Sequence, residues 1–84
     1  MRFHNLSAYK AYATSFLILK INEVQDEKTK TALTELLMRL EILRTRDFHR
    51  FLARILEIQK QTGLDLTQIV PSPEEVQQIM QYPA

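Results

Sequence analysis

Five basic side chains crowd one short stretch of the chain: Arg44, Arg46, His49, Arg50 and Arg54. A guanidinium stays charged at any ordinary pH and presents paired donors to carboxylates and phosphates. On a regular helix at about 100° per residue, Arg39, Arg46, Arg50 and Arg54 fall within roughly 80° of one another. Such a row can follow successive phosphates of a nucleic acid. It can also be a solvated face, because acids interleave with it: Glu35 precedes Arg39 by four residues, Asp47 precedes Arg50 by three and Glu57 follows Arg54 by three. Eleven basic residues against ten acidic ones leave a net charge of only +1, which favours the solvated or partner-facing reading.

Catalytic chemistry has few candidates. Arg44 and His49 share the spacing of the arginine–histidine pair in HEPN-type helical ribonucleases, where the histidine would act as general base. The match is two residues, the other signatures are missing, and His49 reads as a partly exposed histidine beside the core. No cysteine is present, which removes thiolate catalysis, disulfides and cysteine-bound zinc. His4 and His49 lie far apart, so no histidine pair marks a metal, and one glycine cannot build a phosphate-cradling loop. Ser, His and Asp occur, but nothing groups them as a triad. The expectation is a non-enzymatic protein with no cofactor and no metal.

The elements that must position these side chains are helices. Between Met1 and Thr62 there is neither glycine nor proline; Gly63, Pro71, Pro73 and Pro83 all come later. Asn5 and Ser7 are both N-cap residues, and the spacing of Tyr9, Tyr12, Ala13, Phe16, Leu17, Ile21 and Val24 predicts a first helix over about 8–25. Asp26 caps a second, long helix over about 27–62. Its apolar residues form two stripes, Leu33–Leu43 and Phe48–Ile58, rotated by roughly 80° from each other. A continuous or mildly kinked rod fits, with Thr45-Arg46-Asp47 as the place for a kink. Gly63 ends it, and Ser72-Pro73-Glu74-Glu75 is a capping box that starts a short helix over about 73–81.

The fold expected is one all-α domain over 1–84: a helical hairpin of two long antiparallel helices plus a short C-terminal helix. A rod of residues 27–62 would span roughly 54 Å, more than a domain of 84 residues can cover, so two hairpins are expected to pair as a homodimeric bundle. The expected function is a small protein-interaction module (adaptor, chaperone-like or regulatory subunit) working through a helical surface. The alternative is a nucleic-acid-associated regulator using the arginine row. Interaction candidates are Tyr9, Tyr12, Phe16, Arg39, Arg46, Phe48, His49, Arg50, Phe51 and Arg54. The expected partners are a second copy and an unidentified protein, with nucleic acid less favoured. No segment reaches the ~20 apolar residues of a membrane span, and the start of the chain lacks the features of a signal peptide. A cytoplasmic protein is expected.

Overall fold

The computed structural model describes residues 2–82, and all of their regular structure is helical. Helix α1 is Leu6–Glu23, α2 is Glu27–Glu41, α3 is Phe48–Thr62 and α4 is Pro73–Gln81. Single 3₁₀ turns at Thr45–Asp47 and Thr67–Ile69 precede α3 and α4. Three of the starts are capped by side chains, as their residue types dictate. Asn5 accepts from the Ala8 amide at 2.8 Å. Asp26 accepts from the Thr29 amide at 2.9 Å and from its hydroxyl at 2.7 Å, bonds that hold its carboxyl below the usual range. Ser72 and Glu75 form the reciprocal capping box. Gly63 ends α3 at φ 76°, the left-handed conformation that a side chain disfavours, and its amide donates to the Gln59 carbonyl at 2.8 Å.

The long second helix does not exist as one rod. The chain leaves helical geometry at Ile42 and is extended by Arg44 before the next turn begins. A rod of roughly 54 Å would exceed the longest dimension of the fold, 37 Å. The rotation between the two apolar stripes is the reason: one straight helix cannot turn both toward the same core. The break solves this by folding α3 back on α2, so Leu33, Leu36 and Leu40 share a single core with Phe48, Phe51, Ile55 and Ile58. Lys10 supports the break from α1, donating to the end-of-helix carbonyls of Glu41 at 3.0 Å and Leu43 at 3.3 Å.

The centre of the core is Tyr9, fully enclosed. Phe3 and Phe48 meet its ring edge-on, each at 5.1 Å between centroids, and Phe51 does so at 6.4 Å. Its hydroxyl donates to the Ile69 carbonyl at 2.7 Å, which fixes the 3₁₀ turn against α1. Burial pushes the phenol well above its ordinary pKa, so it remains a neutral donor. Tyr9→Phe should cost about 1–3 kcal/mol by leaving the buried carbonyl unpaired. Urea denaturation checks this, and an unchanged midpoint would remove Tyr9 as the central tie.

Glu75 closes the fold at the other side. One carboxylate oxygen accepts from the Ser72 amide and the other from the Arg2 amide, both at 2.9 Å, with the Arg2 guanidinium 3.6 Å away. Burial raises the Glu75 pKa, but those two amides and the guanidinium outweigh it and hold the carboxyl at about 2, against an ordinary 4.5. Between these values the unfolded chain binds a proton that the folded chain refuses. The Glu75 contribution is therefore complete above 4.5 and drains as the pH falls toward about 2. Thermal melts across this range should fall in midpoint for the wild type. Glu75→Gln should melt lower at neutral pH and show a flatter acid limb; equal slopes would refute the linkage.

Candidate functional site

The structure sorts the ten interaction candidates into three groups. Tyr9, Phe16, Phe48 and Phe51 are buried in the core, and of these Phe51 alone also lines a surface cleft. The helical spacing that marked them is the spacing of core packing, and the fold-back of α3 supplies their cover within one chain. Tyr12 sits at the margin, its ring against Phe3 and its hydroxyl donating to the Gln68 side chain at 3.2 Å. The arginines and His49 lie at or near the surface where α2 turns into α3.

The arginine row of a continuous helix is rearranged by the break. Arg54, only 26% exposed, turns toward α2 and pairs with Glu35 at 3.8 Å and with Glu57. Glu35 also takes Arg39 at 3.3 Å, so one carboxylate ties two helices together. Arg46 and Arg50 remain 86% and 81% exposed and share Asp47 at 3.9 and 4.0 Å, the outer limit of ion-pair contact. Such contacts leave most of the guanidinium donors free for another anion. Arg44 and His49 are exposed on the same corner, and neither is enclosed in a site that would activate it.

A cleft of about 150 Å³ opens at this corner, lined by Arg39, Ile42, Leu43, Asp47, Arg50 and Phe51. Leu43 and Phe51 are core side chains whose edges form its apolar floor. Ile42, also in its lining, is 77% exposed, the most exposed large hydrophobic residue among the described residues. Sequence reasoning passed over Ile42 because it falls outside both stripes. The available signal was that same displacement: a bulky apolar residue outside both stripes, between Glu41 and Arg44. Between Arg39 and Arg50 there are four arginines against two carboxylates, Glu41 and Asp47. Glu35 of α2 adds a third carboxylate, on Arg39, and the exposed positive surplus is that of Arg46 and Arg50, which share Asp47.

Among the described residues no three His, Cys, Asp or Glu side chains come together as a metal site, and no helix is long and apolar enough to cross a membrane. Compared with protein families, curated proteins and solved structures, the chain matches no family model, no curated protein and no solved structure. The corner geometry has a sharp internal test in two adjacent residues. Leu43→Ala should destabilise by about 2–5 kcal/mol because its side chain fills the core. Ile42→Ser should change stability by no more than about 0.5 kcal/mol. Similar losses in both variants would mean the turn between α2 and α3 is misplaced.

Proposed function

We propose that this chain is a small non-enzymatic, cytoplasmic interaction module that docks a protein partner on the corner between α2 and α3. The observation that carries this reading is the apolar-floored cleft beside Ile42, set within a rim of exposed arginines. Interface anchors are typically apolar or arginine side chains grouped at one place, which is the composition of this corner. Capture from an extract of the source cells, run in parallel with the wild type and Ile42→Asp, tests it. A protein retained by the wild type and lost by the variant is expected; equal capture would place docking elsewhere.

A nucleic-acid-associated regulator is the second reading, favoured by the exposure of Arg46 and Arg50. The withdrawal of Arg54 into its pair with Glu35 shortens the row that could follow phosphates. We expect no nucleic-acid binding tighter than about 10⁻⁴ M at physiological salt. Salt-sensitive micromolar binding, abolished in an Arg46→Gln, Arg50→Gln double variant, would reverse the ranking.

A homodimeric bundle belongs to the same proposal but on another face. Most of the stripe residues that motivated it are covered within one chain, and the exposed large apolar residues left on the three long helices are Met38 on α2, Leu56 on α3 and those of α1. That helix carries only Lys10, Lys20 and Glu23 as charged residues, and it exposes Ile18 and Leu19. A helix apolar around most of its circumference calls for cover on more than one side. Sedimentation equilibrium at micromolar concentration should give a mass near twice 9.9 kDa, reduced to one chain by Ile18→Lys with Leu19→Lys. A single-chain mass for the wild type would remove the homodimer and leave the corner reading untouched.

A further inference from the structure

Resting on the docking role proposed for the corner, we infer the chemistry of its partner: an acidic segment that presents one bulky apolar side chain. The apolar side chain enters the cleft beside Ile42, over the edges of Leu43 and Phe51, while flanking carboxylates meet Arg39, Arg46 and Arg50.

Three features select this occupant. The first is size. The cleft is small, about 150 Å³, open to solvent, and lined by Ile42, Leu43 and Phe51 with Arg39, Asp47 and Arg50 beside them, so it has room for one large side chain rather than for a packed helix face. The second is charge. Glu35 takes Arg39, but Arg46 and Arg50 are 86% and 81% exposed and share the single carboxylate of Asp47, so the rim repels a basic partner and a second copy of the same corner. The third is the pairing of apolar and cationic groups at one place. A phosphate backbone would use the arginines but gain nothing from Ile42, whose exposed side chain is costly to leave in water. An acidic segment with a single apolar anchor uses both.

Asp47 gives the inference a distinctive signature. Its carboxylate lines the cleft and competes for Arg46 and Arg50, yet it makes no capping bond to α3. Removing its charge should therefore strengthen binding of an acidic partner without uncapping the helix.

Selection of a random-peptide library on the full chain, followed by fluorescence anisotropy of the enriched peptides, provides the test. Enriched sequences should carry acidic residues around one leucine-, isoleucine- or phenylalanine-sized residue. Replacing that residue by alanine, or Ile42 by serine, should each weaken binding by roughly tenfold, the effect of losing one buried apolar side chain. Arg50→Ser should weaken binding and lower its salt dependence, and Asp47→Asn should tighten it several-fold. Thermal melts of the three variants should match the wild type, since these positions are at the surface.

Enrichment of basic or uncharged peptides, or binding indifferent to Ile42 and Arg50, would overturn this partner chemistry while leaving an interaction module with a different partner. No enrichment, together with arginine-dependent binding of single-stranded DNA, would overturn both this inference and the docking role beneath it.

Discussion

A phenol hydroxyl sealed away from water must have a hydrogen-bond partner, and the bond from Tyr9 to the Ile69 carbonyl meets that requirement. Much else depends on it. The bond draws the stretch after Gly63 across α1 and sets where the chain reaches Pro71. That position in turn decides where Ser72 can start α4. The rings of Phe3, Phe48 and Phe51 surround the same tyrosine, so the N-terminal arm, α1, α3 and the 3₁₀ turn meet at a single side chain. No buried side-chain nitrogen or oxygen among the described residues is left without a partner. The core is largely apolar, with its few polar groups committed to fixing the topology.

The break after α2 links stability to the surface that remains. By turning Leu43 inward, the chain joins most of the two apolar stripes into one core. The same turn leaves Ile42 outside. Ile42 is thus exposed as a consequence of the backbone solution that buries its neighbour, and the arginines near it follow from the short, polar connection that the turn requires. Core and candidate site have a common origin in six residues, Ile42 to Asp47.

Much of this architecture could be read from local signals. Asn5, Asp26, Gly63 and the Ser72–Glu75 pair act through bonds within a few residues of themselves, so their types and spacing were sufficient to place helix ends. The end of α2 was not legible in the same way. It has no glycine, no proline and no capping side chain of its own; it is set by the burial of Leu43 and by Lys10 donating from α1, more than thirty residues away in sequence. Placing the kink at Thr45–Asp47 found the polar segment but missed the departure at Ile42. The candidate site inherited that difference. On a continuous helix Arg54 joins the exposed row, whereas in the folded chain it faces Glu35. Burial of Tyr9, Phe16, Phe48 and Phe51 has a related origin, since periodicity identifies the buried face of a helix without saying which chain buries it.

The arm–Glu75 contact gives the fold a shared fate for its two extremities. The Arg2 amide and guanidinium hold Glu75, and the Leu6 amide donates to the Tyr82 carbonyl at 3.3 Å. Neither extremity can loosen alone without stranding groups on the other. The arm and α4 therefore form one cooperative opening unit laid over α1. Opening of that unit would expose Phe3 and Ile79 together, while α2 and α3 stay joined through Glu35. The molecule is built as a three-helix body with a latch, fastened where Arg2 meets Glu75 and where Leu6 meets Tyr82.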